Sequence, residues 1–252
     1  MTDLEGLKHN LKQLSLHTIN SIFEEEAQKC AKIKMSYSGY LGRLVEAEVL
    51  SKTERSIARR ISKAKFPFIR TLESFDFSFQ PGLEPRYINE LAELAFLQKG
   101  ENILFLGSSG VGKTHLAIAL GVKSCIAEKK VLFMKVSQLL DDLSSHQVSR
   151  TLSLRLEALS RLDLLILDEL GYDLLDKGKV NLFFQLVSSR YEKGSIILTS
   201  NKCFEEWSET FSNDAVAVAI LDRLLHHSHI IAINGPSYRI KDKLKKVGGT
   251  PR

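Results

Sequence analysis

Apolar residues in the first part of the chain recur at helical spacing. From Leu4 to about Ile33 they fall three or four positions apart, which predicts one or two amphipathic helices. A second helical block runs from Tyr37 to Lys65 and ends at Phe66-Pro67, since a residue before proline disfavours the α region. We therefore predict a small all-helical N-terminal domain over residues 1–66.

Residues 67–86 separate this helical block from the rest of the chain. They hold three of the five prolines and four phenylalanines, so no long regular element fits there. We predict an aromatic linker that packs against the neighbouring structure.

Beyond the linker, short apolar runs alternate with amphipathic helical stretches. Such an alternation indicates a parallel sheet with helices on both faces. An α/β domain with a basic C-terminal tail is predicted over residues 87–252. Its five predicted strands are Asn102–Leu106, Val131–Val136, Leu164–Leu167, Ile196–Thr199 and Ile230–Ile233.

The composition is that of a globular chain, with 44% hydrophobic and 26% charged residues. The longest uninterrupted apolar run, Ala215–Leu221, is far shorter than the roughly 18 residues that a membrane span needs. The N-terminus also lacks the basic region of a secretion signal. We expect a soluble, cytoplasmic protein without a membrane partner.

Neither the cysteines nor the histidines predict a metal centre. The three cysteines lie far apart with no CxxC, which argues against both a disulfide framework and a structural zinc site. His226, His227 and His229 lie close together, but no cysteine or carboxylate stands beside them at ligand spacing.

The positive charge of the chain is concentrated in two short segments. The net charge is +5, and residues 51–70 carry seven basic and one acidic side chain. Residues 239–252 carry six basic and one acidic side chain. This C-terminal segment, with Lys241, Lys243, Lys245 and Lys246, is either a flexible tail or an arm that contacts DNA.

The first basic segment predicts a DNA-binding surface. Its cations recur three and four positions apart, so several share one helical face that suits the phosphates of double-stranded DNA. The lack of a groove-reading motif favours backbone contacts over base readout. A solvated basic face is the alternative. The candidate residues are Lys52, Arg55, Arg59, Arg60, Lys63 and Lys65.

A glycine-rich segment follows the first predicted strand and opens a helix predicted over Thr114–Ala127. It matches GxxxxGK[ST] in full, in the strand-to-helix context that a phosphate-binding loop requires. Its backbone N–H groups are expected to converge on phosphate oxygens at the positive end of the helix. We expect Lys113 to reach the β/γ oxygens and Thr114 to ligate Mg²⁺. The loop consists of Gly107, Ser108, Ser109, Gly110, Val111, Gly112, Lys113 and Thr114.

A pair of carboxylates supplies the second half of the predicted site. Asp168 and Glu169 follow the apolar run Leu164–Leu167, which places both acids at the end of a buried strand. Asp168 is expected to hold the water shell of Mg²⁺, and Glu169 to orient or deprotonate the attacking water. Solvated acids at a strand end are the alternative interpretation.

The same segment also fits part of a GTPase pattern. Asp168–Gly171 spells DxxG, and Asn201-Lys202 begins an NKxD-like motif. Recognition of guanine requires an aspartate two residues after the lysine, however, and that position is Phe204. ATP is therefore the predicted nucleotide.

Two more polar residues are candidates for ATP hydrolysis. Asn201 follows a hydrophobic strand at the sheet edge where ligands bind, and it is expected to contact the γ-phosphate or the water. Arg223 lies on a helix predicted from about Asp214 to Ser228 and is a candidate arginine finger across a subunit interface. A strand cap and a salt bridge, respectively, are the alternatives.

Together these motifs resemble the AAA+ ATPases and, more narrowly, the IstB family of transposition helpers, which are relatives of the DnaC helicase loaders. The P-loop alone indicates only the superfamily, whereas the linker and two C-terminal strings point to IstB. The resemblance runs through Arg55–Lys65, Phe75–Leu83, the P-loop, Asp168–Tyr172, Thr199–Asn201, Trp207, Asp222–His227 and Gly235–Arg239.

The resemblance implies a P-loop AAA+ domain with a five-stranded parallel sheet. It does not extend to a full C-terminal helical lid, because only about 19 residues follow the last predicted strand. The family roles fall on Gly107–Thr114 as Walker A, Asp168 and Glu169 as Walker B, Asn201 as sensor 1, Arg223 as arginine finger and Arg239 as sensor 2.

The family's function implies an ATPase that uses ATP and Mg²⁺, assembles as a homo-oligomeric ring or spiral on duplex target DNA, and delivers that DNA to a cognate transposase. A DnaC-like loader of a replicative helicase is the first alternative, although the linker and C-terminal strings argue against it. A small-molecule kinase is the second, but Glu169 beside Asp168 indicates water as the acceptor.

Overall fold

The structure is a computed structural model that describes residues 3–172, 174–211 and 214–240. The chain divides into two compact units between Arg59 and Arg60. The predicted basic tail, residues 241–252, lies outside the described residues. Within the described ranges, no helix has the length and apolar character needed to cross a membrane.

The N-terminal unit is helical, as the apolar spacing predicts. It contains α1 (Asp3–Gln13), α2 (His17–Lys32) and most of α3 (Tyr37–Lys63). Its small core joins Ile19 and Phe23 of α2 to Leu44 of α3.

A buried glutamate organises this unit. Both the Thr18 and the Ile19 backbone N–H groups donate to Glu48 Oε2, at 2.7 and 2.9 Å, at the start of α2. Arg55 donates to Glu48 Oε1 at 3.2 Å, and Lys52 lies 3.9 Å from the same oxygen. Burial alone would raise the pKa of Glu48, but the two backbone hydrogen bonds and the two cations lower it below its usual value. Two of the predicted DNA-binding cations thus pair with a carboxylate of their own unit.

The larger unit is built on five parallel strands in the order β2-β3-β4-β1-β5. The predicted five-stranded parallel sheet is therefore confirmed. Its elements are α4 (Pro85–Leu91), α5 (Ala95–Lys99), β1 (Asn102–Leu106), α6 (Lys113–Ile126), β2 (Val131–Lys135), α7 (Val136–Val148), α8 (Leu152–Ser160), β3 (Leu164–Leu170), α9 (Lys177–Arg190), β4 (Ser195–Ser200), α10 (Trp207–Phe211), α11 (Asp214–Leu225) and β5 (Ser228–Ala232).

The residues of β1 show why helices cover both faces of the sheet. Ile103 and Phe105 pack in one hydrophobic cluster, together with the apolar side of α6. Leu104 points the other way and packs in a second cluster that includes residues of α7, α9 and α11. Successive side chains of a strand point to opposite faces of the sheet, so a strand that is apolar throughout is buried on both faces.

Several element boundaries differ from the predicted ones. Strand β2 stops at Lys135, because Val136 begins α7. Strand β3 continues to Leu170 and therefore contains both acids of the predicted site. Strand β5 starts at Ser228, which pairs with Asn102 of β1, so α11 ends earlier than predicted.

The end of α3 and the residues after it pack within the larger unit. The Phe133 N–H of β2 donates to the Ala64 carbonyl at 2.8 Å, and Ala64 is fully buried. The rings of Phe66 and Phe133 meet edge to face at 6.4 Å, and Arg60 pairs with Glu128 at 3.1 Å. Residues 60–66, which were predicted to belong to the N-terminal domain, thus cover the edge strand β2.

Candidate nucleotide-binding site

The loop between β1 and α6 adopts a conformation that only glycine tolerates. Gly107, Gly110 and Gly112 have φ values of 141°, 83° and 107°, outside the range of ordinary side chains. A Cβ on Gly107 would lie 2.2 Å from the Ile233 carbonyl oxygen, and one on Gly112 would lie 2.6 Å from the Phe75 ring. The predicted phosphate loop is therefore tight because its neighbours pack directly on its backbone.

The loop lysine folds back onto the loop. Lys113 Nζ donates to the Gly107 carbonyl at 2.6 Å and to the Ser108 carbonyl at 2.7 Å. Burial lowers the pKa of its ammonium below the usual value, and the charge of Asp168 opposes this effect. The cation lies inside the curve of the loop, where a phosphate would compete with the two carbonyls for it.

Two segments distant in sequence close over this loop. The Tyr238 N–H donates to the Gly110 carbonyl at 2.8 Å, and the Tyr238 ring meets Phe79 of the linker edge to face at 5.1 Å. Gln80 of the linker donates from Nε2 to the Pro236 carbonyl at 3.0 Å. The linker thus packs, and these segments help to enclose a cavity of about 330 Å³ beside the loop, a size typical of ligand pockets.

Asp168 connects two neighbouring strands, β3 and β4, to the end of the loop. Its Oδ1 accepts hydrogen bonds from Thr114 Oγ1 at 2.8 Å and from Thr199 Oγ1 at 2.6 Å. Burial raises the pKa of Asp168 above its usual value, and the two hydroxyl hydrogen bonds oppose this effect. Carboxylate and hydroxyl oxygens are ligands that Mg²⁺ accepts, so the paired Thr114 and Asp168 fit the predicted metal.

Glu169 is held in an unusual backbone conformation. The pairing of β3 with β4 shifts register between Leu167 and Leu170, and Glu169 lies in this irregularity with φ 66°. Such a conformation costs a non-glycine residue about 1 to 3 kcal/mol. The Glu169 N–H donates to Thr199 Oγ1 at 3.0 Å. The irregularity allows Glu169 to line the same cavity as the loop rather than continue the alternation of the strand.

The carboxylate of Glu169 already has a cationic partner. Lys135 Nζ lies 2.7 Å from Glu169 Oε2, and this hydrogen bond raises the pKa of Lys135. Lys135, the last residue of β2, pairs in register with Asp168 on β3. The sheet therefore places Lys135 next to Glu169, the residue that follows Asp168.

The structure places two more of the predicted residues at the cavity. Asn201, just beyond β4, lines it, and its buried Oδ1 has no hydrogen-bond partner among the described residues. Arg239, in the short 3-10 helix Tyr238–Ile240, also lines it, and its charge lowers the pKa of Lys113. The cation of Arg239 beside the loop fits the negatively charged oxygens of a nucleoside triphosphate, and the unpaired Asn201 oxygen fits a donor such as a water molecule.

Arg223 lies away from this cavity. Its guanidinium lies 4.8 Å from the centre of the Phe184 ring, and Nη1 donates to the Ala219 carbonyl of its own helix at 3.0 Å. Within residues 3–172, 174–211 and 214–240 it forms no salt bridge, so the salt-bridge alternative finds no partner there. Its place outside the cavity of its own chain is compatible with action on a neighbouring subunit.

The predicted DNA-binding cations fall into two groups. Lys52, Arg55 and Arg60 pair with Glu48 or Glu128, as described above. Arg59, Lys63 and Lys65 have no ion pair within the part of the chain that the structure describes.

Three residues near the loop were missed by sequence reasoning. Thr199 joins Asp168 to the backbone of Glu169, and Lys135 pairs with Glu169. His115 follows the loop, lies 3.0 Å from the Thr71 carbonyl through Nε2, and meets Phe75 edge to face at 5.1 Å. For Thr199 and Lys135 the available signal was their place at the carboxyl end of a predicted strand.

The chain matches a family model described as "IstB-like ATP binding protein" over residues 9–246. A relative from Pseudomonas aeruginosa, named as an ATP-binding protein of insertion sequence IS21, is 45% identical over 247 residues, covering 97% of this chain and 91% of that protein. A second, from insertion sequence IS5376 of Geobacillus stearothermophilus, is 42% identical over 239 residues and covers 95% of each.

Solved structures show the same α/β fold. The DnaC helicase loader is 21% identical, with a TM-score of 0.53 over 65% of this chain and 96% of that chain. AMPPCP-bound DnaA from Aquifex aeolicus is 25% identical, with a TM-score of 0.54 over 72% of this chain and 56% of that one. The predicted P-loop AAA+ fold is therefore confirmed.

Proposed function

The chain belongs to the family of IstB-like ATP-binding proteins, and from this we propose that it is a DNA-binding ATPase that assembles on duplex target DNA and delivers it to the transposase of its insertion sequence. The observation that carries the proposal is that the P-loop, Glu169 and Asn201 line one cavity, where the loop residue Thr114 donates a hydrogen bond to Asp168. The likeness to DnaC concerns the fold, and we do not propose a helicase loader.

Each residue at the cavity has a distinct task in the proposed reaction. The loop N–H groups and Lys113 bind the β- and γ-phosphates, while Thr114 and Asp168 hold Mg²⁺, which supplies charge neutralisation. Glu169 accepts a proton from the attacking water, and Asn201 orients that water or the γ-phosphate. A neighbouring subunit's Arg223 neutralises the charge that develops in the transition state.

DNA binding is the part of the proposal that tests it most directly. We expect the double variant Arg59→Glu, Lys63→Glu to bind duplex DNA less tightly, whatever its sequence. The slope of log K against log salt should fall by about 2, because each lost phosphate contact removes about 0.9. Fluorescence anisotropy of a labelled duplex, measured over a salt series with a non-hydrolysable ATP analogue, gives this slope.

A matched control separates the loss of phosphate contacts from the effect of the changed net charge. Arg86→Glu with Lys99→Glu makes the same change in charge at two exposed cations that form surface ion pairs, and its slope should equal that of the wild type. An unchanged slope in the Arg59, Lys63 variant would place the DNA elsewhere. Strand transfer by the cognate transposase should fall in parallel with DNA binding; full activity without DNA binding would refute delivery.

Arg223→Ala should leave ATP binding to the isolated chain intact and depress hydrolysis on DNA. If Arg223 acts on the neighbouring subunit, mixing Arg223→Ala with Lys113→Ala chains should restore part of the activity, because an intact P-loop then meets an intact arginine. Steady-state phosphate release on duplex DNA measures this recovery. Arg161→Ala, which removes an exposed arginine that pairs with Glu157 one helical turn earlier, should hydrolyse ATP as the wild type does.

No recovery in mixtures that demonstrably co-assemble would identify Arg223 as a packing residue over Phe184. Arg239 would then be the next candidate, since it already lines the cavity.

A further inference from the structure

Two turns of the larger unit bring three metal-ligating side chains together. Glu192 lies in the turn between α9 and β4, and His226 and His227 lie in the turn between α11 and β5. One ligand atom from each lies within 4.8 Å of the others, and all three residues are exposed. Across the described ranges, no other group of three histidine, cysteine or acidic side chains meets this criterion.

The backbone before Glu192 explains how the carboxylate reaches the histidines. Tyr191 follows the last residue of α9, and Glu192 comes next with φ 57°, a left-handed conformation that reverses the chain. Glu192 Oε1 lies 4.0 Å from His227 Nε2. No carboxylate stands next to the histidines in the sequence. Glu192 supplies one from a different turn.

A fourth residue orients one of the imidazoles. The Tyr191 hydroxyl and His226 Nδ1 are 2.7 Å apart, across 35 positions of sequence, and the two rings stack with their centres 6.0 Å apart. Metal-binding histidines generally use their second ring nitrogen in such a hydrogen bond, which fixes the ring and its tautomer. His226 Nε2 remains available to a metal.

We propose that Glu192, His226 and His227 bind a divalent transition-metal cation of the Zn²⁺ type. Two imidazoles and one carboxylate form a known zinc ligand set that leaves a position for water, and imidazole selects such metals over Mg²⁺. Zn–N and Zn–O distances of about 2.0 to 2.2 Å require the three ligand atoms to move closer together, which exposed side chains do by rotation. The ion links the turn before β4 to the turn before β5.

Zinc binding by the full-length, nucleotide-free protein tests this site. All variants carry Cys203→Ser, because Cys203 is an exposed thiol beside Glu206 that could bind zinc itself. Titration with ZnCl₂ against a chromophoric chelator should give one ion per chain. We expect Glu192→Gln to weaken binding by about tenfold or more, the double variant His226→Ala, His227→Ala to lose it, and Tyr191→Phe to weaken it by about 10- to 100-fold.

The matched control is His146→Ala. His146 also stands beside a carboxylate, Asp142, at 3.9 Å, but it does not belong to the group of three, so its loss should leave the affinity unchanged. Zn²⁺ should also raise the Tm of the Cys203→Ser protein and not that of the double histidine variant, since a ligand of the folded state stabilises it. Zinc affinity in the Glu192 and histidine variants equal to that of the Cys203→Ser protein would overturn the site. Displacement of the zinc by millimolar Mg²⁺ would overturn it as well.

Discussion

Replacement of Glu169 by glutamine is expected to reduce ATP turnover by about 10²-fold or more, while ATP binding and the assemblies on DNA persist. Glutamine keeps the size of the side chain and removes its ability to accept a proton from water. The bound nucleotide should therefore accumulate unhydrolysed. Phosphate release measures turnover, and retention of labelled ATP on DNA-bound protein measures the accumulation.

The backbone conformation of Glu169 should survive this substitution. The left-handed conformation and the hydrogen bond from its N–H to Thr199 do not depend on the charge of the side chain. Glu93→Gln, at an exposed position of the same unit, should turn over ATP as the wild type does. Near-normal hydrolysis by the Glu169 variant would mean that another group positions the water.

Lys113→Ala is expected to weaken ATP binding by about 10- to 100-fold, as hydrogen bonds to charged groups are worth about 1.5 to 3 kcal/mol each. Nucleotide-dependent assembly should disappear with it. The ammonium is the side-chain cation that the loop itself offers to the phosphates, and its present partners are carbonyls of that loop. Isothermal titration with a non-hydrolysable ATP analogue measures the loss.

The fold should survive this change, because the loop conformation rests on its glycines and on packing by Ile233 and Phe75. Lys123→Ala, an exposed lysine in the last turn of α6, is the control for general effects on that helix and should bind ATP normally. Equal ATP affinity in the Lys113 variant and the wild type would refute the role assigned to Lys113.

Apolar runs and the P-loop pattern were sufficient to predict the sheet. A strand such as Leu164–Leu167 is buried on both faces, so its sequence is continuously apolar and easily recognised. The ends of elements were less predictable. Pairing with a neighbouring strand carries β3 past the apolar run to Leu170, and the start of α7 shortens β2 by one residue.

The residues at the cavity were largely predictable because they follow strands in the sequence. Their partners were not, since strand order decides which strand ends are neighbours. Lys135 meets Glu169 because β2 lies next to β3, and no local pattern shows that adjacency. The same holds for Glu192, whose place near His226 and His227 depends on two turns that are distant in sequence.

Charge patterning along the sequence does not show which cations are paired within the chain itself. The basic stretch of α3 predicts one cationic face, yet Lys52 and Arg55 pair with the buried Glu48. A single acid inside the N-terminal unit changes what two of these cations do. They pair within α3 with the acid that accepts from the start of α2, whereas Arg59 and Lys63 form no ion pair among the described residues.

The ion pair between Lys135 and Glu169 affects when ATP is consumed in the proposed reaction. One carboxylate oxygen of Glu169 accepts a hydrogen bond from this ammonium at 2.7 Å, so that oxygen is shared between Lys135 and any water that it orients. In the proposed reaction, a chain that holds this ion pair can therefore bind ATP before its carboxylate is free to act on water. Hydrolysis is delayed until Lys135 and Glu169 separate. The duration of this delay sets the time that the ATP-bound protein has to bind DNA.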